Sequence, residues 1–318
     1  MFDDFTPFDL TVDGAAGERV PIHGVRGGSG PPVLLLHGFP QTHAMWHPVA
    51  VELARTHTVV ATDLRGYGAS GRPDSGPDHA AYSFRAMAAD QVEVMTRLGF
   101  DRFAVAGHDR GARVTHRMLL DHPERVTRAA LLDILPTAYM YDHVDKASAT
   151  AYYHWFLFIQ PADVPERLIG GDPIGYLHTL LGGWGSGLDA HPAEALAGYE
   201  RAFADPAARH AMLEDYRAGA SIDLEHDAAD EAAGHRIAAP TLVLWGGRGV
   251  VGANAENPLH VWRRLARDPS MVTGREIGEA GHFLVDERPA ETAAELARFL
   301  RDREAASVTQ SGTCDVRP

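Results

Sequence analysis

Short runs of consecutive apolar residues, each ended by a glycine or a polar residue, constrain the fold of this chain more than any other feature. Runs that are apolar throughout, without alternation, are typical of parallel β-strands covered on both faces. Five such runs lie at residues 33–36, 58–61, 103–106, 129–132 and 241–245. Helical stretches lie between them, for example at 84–98 and 111–121. This alternation predicts an α/β fold with a doubly wound, mostly parallel sheet.

The alternation is interrupted between about residue 137 and residue 236. This stretch is rich in aromatic residues, glycine, proline and alanine, and the strand pattern resumes only at Pro240. A helical insertion at this point would lie over the carboxyl ends of the strands, where such sheets bind ligands. We therefore expect a core formed by 1–136 and 237–303, a helical cap formed by 137–236, and a disordered tail at 304–318.

Charge and composition exclude several classes of function. The 29 Lys and Arg residues and 43 Asp and Glu residues give a net charge of −14, which disfavours nucleic acid and anionic membranes as partners. No apolar run has the length of a membrane helix, and the first residues carry acids where a signal peptide carries bases, which predicts a cytoplasmic protein. The single cysteine, Cys314, excludes an internal disulfide and a cysteine metal cluster.

Gly107-His108-Asp109-Arg110-Gly111 is the most informative local motif, since it lies between a predicted strand and a predicted helix. Small residues two positions before and after Asp109 fit a sharp turn that presents the central side chain to a cleft. The alternative is an aspartate that only caps the helix. A carboxylate that attacks a saturated carbon forms an ester, which water can hydrolyse, whereas a hydroxyl would leave an ether. The motif predicts displacement at saturated carbon, as in alkyl halides or epoxides.

His282 is the candidate general base for hydrolysis of that ester, because it follows the last predicted strand (271–277) in a glycine-containing loop. A catalytic histidine usually needs a carboxylate to fix its tautomer. The loop after 241–245 contains no acid, whereas the run at 129–132 ends in Asp133, which we assign as the partner. The alternatives are a histidine in a surface loop and an aspartate that caps a turn.

Two arginines follow the predicted nucleophile, Arg110 directly and Arg113 one helical turn further on. In a strongly acidic chain, two guanidinium groups beside the reacting carbon suit a clamp for a substrate carboxylate, which indicates a 2-haloacid. The backbone N–H groups of Phe39 and Arg110 are expected to form an oxyanion hole for the ester carbonyl.

These motifs resemble the fluoroacetate (haloacetate) dehalogenases of the α/β-hydrolase superfamily, over about residues 5–303. The resemblance is carried by the motif at 107–113 and by five further segments. These are Leu-Asp-Ile-Leu-Pro-Thr at 132–137, Tyr-His-Trp at 153–155, Gly-Gly-Asp-Pro at 170–173, Glu-Asp-Tyr-Arg-Ala-Gly at 214–219 and Gly-His-Phe-Leu at 281–284. The arginine pair together with the cap segments is the most specific part.

The resemblance implies the α/β-hydrolase fold, with Asp109 as nucleophile, His282 as base and Asp133 as its acid. It also implies hydrolysis of small 2-haloacids to 2-hydroxyacids and halide. It implies that Arg110 and Arg113 bind the substrate carboxylate. It also implies a halide pocket formed by His154, Trp155 and Tyr216. Trp184 either lines this pocket or fills the core. No metal or organic cofactor is expected, the partners are a small anionic haloacid and water, and the resemblance indicates a homodimer.

Two other functions remain open from the sequence. An epoxide hydrolase would share the aspartate and histidine, and tyrosines such as Tyr152, Tyr153 or Tyr216 would protonate the epoxide oxygen. The arginine pair would then have no role with a neutral substrate. A non-catalytic ligand receptor on a hydrolase scaffold would commonly lack one of the three catalytic residues, all of which are present here. The sequence leaves the preferred halide and α-substituent open.

Overall fold

The computed structural model describes residues 1–14 and 17–301, and within them eight strands form a single sheet. The strands are β1 (Thr6–Asp13), β2 (Arg19–Gly28), β3 (Pro32–Leu36), β4 (Thr58–Thr62), β5 (Phe103–His108), β6 (Val126–Leu132), β7 (Thr241–Gly246) and β8 (Val272–Ile277). Their order across the sheet is β1-β2-β4-β3-β5-β6-β7-β8. The pairs β1–β2 and β2–β4 are antiparallel, and all other pairs are parallel.

The apolar runs of the sequence form the parallel part of this sheet. Every residue of β4, β5 and β7 is buried, as expected for strands that are covered on both faces. The predicted last strand is also present, although Met271 belongs to a short 3-10 turn that precedes β8. The predicted α/β fold with a mostly parallel sheet is therefore confirmed.

Fourteen α-helices occur in the described residues. They are α1 (His47–Leu53), α2 (Phe84–Arg97), α3 (Arg110–Asp121), α4 (Thr137–Asp142), α5 (Lys146–Ala151), α6 (Tyr153–Phe158), α7 (Val164–Gly170), α8 (Pro173–Gly183), α9 (Ala193–Ala204), α10 (Pro206–Gly219), α11 (Ile222–Ala233), α12 (Pro258–Arg264), α13 (Leu284–Glu287) and α14 (Pro289–Arg301). None of them is both long enough and apolar enough to cross a membrane.

The eight helices α4 to α11 lie between β6 and β7, where the sequence predicts a helical insertion. Their apolar side chains belong to the same buried cluster as those of the sheet. The ring of Phe39, in the loop after β3, contacts Phe158, Phe203 and Tyr216 from the inserted helices at centroid distances of 5.3–6.1 Å. The insertion, which we call the cap, therefore packs on a loop at the carboxyl end of the sheet.

The sequence analysis did not predict β1 and β2, the antiparallel edge of the sheet. Burial in β2 largely alternates between exposed and buried residues, and β1 is mostly exposed, so neither strand contains a continuous apolar run. The predicted tail at 304–318 lies outside the described residues.

Candidate active site

Asp109 occupies a sharp turn between β5 and α3, as the sequence predicts. Its backbone has φ 48° and ψ −117°, a conformation that non-glycine residues seldom adopt. The neighbouring glycines allow a very close approach, since a Cβ atom on Gly107 would lie 2.2 Å from the carbonyl oxygen of Gly111. The Asp109 side chain makes no capping hydrogen bond to α3, so it does not serve as a helix cap.

The Asp109 carboxylate is buried and accepts a hydrogen bond from the backbone N–H of Phe39, with 2.9 Å between N and Oδ1. The structure thus brings the predicted oxyanion-hole residue Phe39 to the predicted nucleophile. Among the hydrogen bonds of residues 1–14 and 17–301, none joins the Arg110 N–H to this carboxylate. The second predicted donor is adjacent in the chain but is not engaged in this structure.

His282 lies between the two aspartates. Its Nδ1–H donates to Oδ2 of Asp133 at 2.7 Å, and its Nε2 lies 3.8 Å from Oδ2 of Asp109, which is too far for a hydrogen bond. Asp133 is held in turn by the backbone N–H of Gly246, which donates to Oδ1 at 2.9 Å. With Nδ1 protonated, the Nε2 lone pair of His282 can accept a proton from a water molecule near Asp109.

Local charges favour an ionised Asp109 and a basic His282. Burial opposes ionisation of Asp109, but the positive groups of His282, Arg110 and Arg113 outweigh it and hold the Asp109 pKa below its usual value. Burial also opposes charge on His282, but the hydrogen bond to Asp133 and the negative charge of that residue raise the His282 pKa above its usual value. The carboxylate is therefore available for attack at neutral pH.

Arg110 is fully paired with an acid that the sequence analysis did not assign. Its Nε donates to Oδ2 of Asp215 at 2.9 Å and its Nη2 bonds the other carboxylate oxygen, forming a bidentate pair in which both side chains are buried. The hydroxyl of Tyr67 donates to the same carboxylate at 2.7 Å. The guanidinium also lies between the rings of Tyr216 and Phe84, at 4.3 and 4.6 Å from their centroids. Its charge is thus compensated within the protein.

Arg113 is buried and forms no ion pair with an acid among the described residues. Its Nη1 donates to the carbonyl oxygen of Leu135 at 3.0 Å and to the hydroxyl of Thr137 at 2.8 Å, both of which are neutral. Its Nε is buried and has no hydrogen-bond partner within the described part of the chain. Burial and the nearby Arg110 lower the pKa of Arg113. Of the two predicted clamp residues, Arg113 is the one whose charge lacks a paired carboxylate.

The three predicted halide-binding residues lie together in the cap. The Tyr216 ring is 5.9 Å from that of His154 and 6.2 Å from that of Trp155, centroid to centroid. Burial lowers the pKa of His154 to about 3 and raises that of Tyr216, so a neutral imidazole and a protonated phenol are present at neutral pH. Nδ1 of His154 is buried and has no hydrogen-bond partner among residues 1–14 and 17–301. This favours placing the proton on Nε2, because an unpaired N–H costs more than an unpaired lone pair.

One pocket joins these groups and encloses about 360 Å³ of empty space, part of which is open to solvent. It is lined by Asp109, Asp133, Ala151, Tyr152, His154, Trp155, Trp184, Val250 and His282. The structure thus places Trp184 on the pocket, where its ring lies 4.3 Å from that of His154. Tyr216, Arg110 and Arg113 are adjacent to this lining rather than part of it.

Known proteins share the fold and much of the sequence of this chain. A model of the α/β-hydrolase fold matches residues 31–289 of the chain. Fluoroacetate dehalogenase from Burkholderia sp. is 48% identical over 285 residues, which cover 89% of this chain and 91% of that protein. The chain belongs to the fluoroacetate dehalogenase family of α/β-hydrolases.

Other members of the superfamily are also similar to this hydrolase. A crystal structure from Nostoc sp. PCC 7120, of a candidate α/β-hydrolase, shares 51% sequence identity and covers 95% of this chain and 100% of its own, with a TM-score of 0.89. Soluble epoxide hydrolase from Corynebacterium sp. is 31% identical over 271 residues, covering 84% of this chain and 89% of its own length. The predicted family and fold are therefore confirmed.

In this α/β-hydrolase the sequence analysis missed Asp215 and His108. Asp215 directly precedes Tyr216 in a segment that carries the resemblance, and this position was the feature of the sequence that could have indicated a role for it. His108 precedes Asp109, and its Nε2–H donates to the backbone oxygen of His282 at 2.8 Å. Burial lowers the pKa of His108 to about 3, so it acts as a neutral donor. No group of three or more metal-ligating side chains is arranged around a metal position in the described residues.

Proposed function

We propose that this enzyme hydrolyses the carbon–halogen bond of small 2-haloacids, such as fluoroacetate and chloroacetate, through an ester on Asp109. The observation that carries the proposal is Arg113, a buried cation without a paired carboxylate beside the nucleophile. Its guanidinium lies 4.7 Å from the ring centroid of Trp155, which lines the pocket. A substrate carboxylate would supply the missing negative charge, whereas a neutral substrate would leave it uncompensated. The 48% identical fluoroacetate dehalogenase supports the same conclusion.

In the first step, an oxygen of Asp109 attacks the α-carbon of the haloacid. A carbon–oxygen bond forms as the carbon–halogen bond breaks, and the halide leaves with the bonding electrons. Developing fluoride needs several hydrogen-bond donors because it is a poor leaving group. The imidazole of His154, the indole of Trp155 and the phenol of Tyr216 are the candidate donors.

In the second step, His282 removes a proton from water through Nε2, and the resulting hydroxide attacks the carboxyl carbon of Asp109. The Phe39 N–H stabilises the oxyanion of the tetrahedral intermediate. Asp133 stabilises the imidazolium that forms. Collapse of the intermediate breaks the ester bond, the imidazolium returns its proton to the departing oxygen, and a 2-hydroxyacid leaves. Only the first step involves the α-carbon, so a chiral substrate is inverted.

The test is a His282→Gln variant mixed with chloroacetate. We expect about one chloride per active site and then no further turnover, because the ester forms but water is not activated. Mass spectrometry should detect the acid on the peptide that contains Asp109. Asp109→Asn is the matched control and should release no chloride. If a single turnover in heavy-oxygen water labels the product directly and leaves Asp109 unlabelled, the ester mechanism is wrong.

Epoxide hydrolysis is the second candidate, supported by the 31% identical epoxide hydrolase and by Tyr152 on the pocket lining. Burial raises the pKa of Tyr152, so its phenol stays protonated and could donate to an epoxide oxygen. Turnover of styrene oxide without turnover of chloroacetate would favour this activity over dehalogenation.

We also propose that the enzyme is a cytoplasmic homodimer that associates through the cap. Several large apolar side chains of the cap are exposed, which supports an interface there. They are Val144, Tyr153, Val164 and Leu168. Light scattering coupled to size-exclusion chromatography should give twice the mass of the chain, and Leu168→Glu should reduce it to that of one chain.

A further inference from the structure

The loop that carries His282 is held by a single carboxylate outside the three catalytic residues. Glu287, the last residue of α13, accepts the backbone N–H of Gly281 at Oε2 and that of Phe283 at Oε1, both at 2.9 Å. These are the residues immediately before and after His282. One side chain therefore fixes the peptide groups on both sides of the general base.

The same carboxylate connects this loop to the cap. The hydroxyl of Ser186, which follows α8, donates to Oε2 of Glu287. The N–H of His282, which lies between the two groups bound by Glu287, donates to the carbonyl oxygen of Trp184 at 2.8 Å. Gly185 lies so close that a Cβ atom there would be 2.5 Å from Oε1 of Glu287. Three consecutive N–H groups, at 281, 282 and 283, are thus satisfied by Glu287 and by the cap segment.

We propose that Glu287 is a positioning residue that sets the orientation of His282 and ties the general base to the pocket-lining segment of the cap. The proposal rests on the proposed function, since His282 acts in ester hydrolysis. Trp184 and His282 both line the pocket, so a shift of either segment changes the distance between the base and the ester. Misplacement of a catalytic group by about 1 Å can cost about 100-fold in rate.

Glu287 also adds negative charge near His282. The charged and titratable groups around this imidazole come from five elements of the structure. They are Asp133 after β6, Asp109 before α3, Glu287 on α13, His108 on β5 and His154 on α6. The two histidines have a pKa of about 3 and stay neutral, so the three carboxylates set the field. Loss of the charge on Glu287 should lower the pKa of His282.

The test compares Glu287→Gln with Glu279→Gln. Glutamine cannot accept both N–H groups, because its amide presents donors on one side. Glu279 lies in the same loop, and its side chain is 71% exposed and, among residues 1–14 and 17–301, ion-paired only with Arg248, at 3.4 Å. It therefore provides the same charge change without the N–H bonds. Both variants are mixed rapidly with chloroacetate, while chloride and the ester on the Asp109 peptide are measured over time. Far-UV circular dichroism checks that each variant folds.

For Glu287→Gln we expect a chloride burst at the wild-type rate, followed by ester hydrolysis slowed by about 10- to 100-fold. The ester should accumulate, and the acid limb of the kcat profile should move to lower pH. Glu279→Gln should retain the wild-type rates and a smaller pH change. Ester hydrolysis and a pH profile identical to wild type in Glu287→Gln would overturn the proposal, as would equal slowing of both steps.

A further variant covers the case in which Glu287→Gln does not fold. Ser186→Ala removes only the hydrogen bond between the cap and Glu287, and it should slow ester hydrolysis by a smaller factor without changing the burst. An unchanged ester-hydrolysis rate in Ser186→Ala would contradict the tie to the cap. If no variant, including His282→Gln, accumulates an ester, then the proposed function fails, rather than the role of Glu287.

Discussion

Replacing each of the two arginines by methionine should separate stability from activity. Methionine is unbranched, apolar and of similar length. Arg110→Met leaves the buried carboxylate of Asp215 with the hydroxyl of Tyr67 as its only side-chain partner in the part of the chain that the structure describes. Breaking a buried ion pair by removing one partner costs about 3–5 kcal/mol. We therefore expect Arg110→Met to lower the free energy of unfolding by about that amount.

Arg113→Met should cost much less stability, because no acid among the described residues is left unpaired. It loses two hydrogen bonds to neutral acceptors and a contact with the Trp155 ring, worth together about 4 kcal/mol. Removal of an unpaired buried cation offsets this loss by several kcal/mol. The expected net change in the free energy of unfolding is less than about 2 kcal/mol.

We expect activity, unlike stability, to fall more in Arg113→Met than in Arg110→Met. Loss of charge-assisted bonds from Arg113 to the substrate carboxylate should cost about 3 kcal/mol, or about 100-fold in kcat/KM for chloroacetate. Chloroacetamide, which carries no negative charge, is the control substrate and should lose much less. Urea unfolding gives the stabilities and a halide electrode gives the rates. If Arg113→Met is destabilised as strongly as Arg110→Met, or retains full kcat/KM, the argument from charge compensation is wrong.

Three further predictions concern the halide site, the acid and the base. Tyr216→Phe should slow fluoroacetate about 10-fold more than bromoacetate, because bromide needs less stabilisation as it leaves; halide release from both substrates measures the ratio. Asp133→Asn should keep the halide burst but slow ester hydrolysis by about 100-fold or more, as stopped-flow measurements would detect. Because the His282 pKa is raised, kcat limited by ester hydrolysis should increase with pH through a midpoint above about 6.5, and a midpoint below 6 would contradict the assignment.

Much of the fold could be predicted from the sequence, because a parallel strand that is buried on both faces is encoded by a short run of apolar residues. Apart from the threonines that begin two of them, the runs at 58–61, 103–106 and 241–245 are apolar throughout, and all of their residues are buried. The antiparallel strands β1 and β2 contain no continuous apolar run, because one of their faces is largely exposed. Their pairing depends on tertiary contacts that no short window of sequence contains.

The candidate site shows the same division. Asp109 could be located because its turn requires small residues at fixed positions, and His282 and Asp133 because each follows a recognisable strand. Asp215 could not be assigned to Arg110, since 105 positions separate them and an acid within a helix is ordinarily a surface residue. The hydrogen bond from the Gly246 N–H to Asp133 could not be predicted either, because nearly every residue type carries a backbone N–H donor.

The position of Asp133 has a consequence for how the enzyme can change. Because the proposed orienting acid, Asp133, follows β6, the loop after β7 supplies none of the three proposed catalytic side chains, and Asp133 is held by the backbone N–H of Gly246, the last residue of β7. Val250 of the same loop lines the pocket. Substitutions at Val250 can therefore alter the space offered to an α-substituent while Asp109, Asp133 and His282 stay in place. Substitutions in this loop can therefore change which substrates are accepted without removing a catalytic side chain. The loop is the first target for selecting variants that accept larger haloacids.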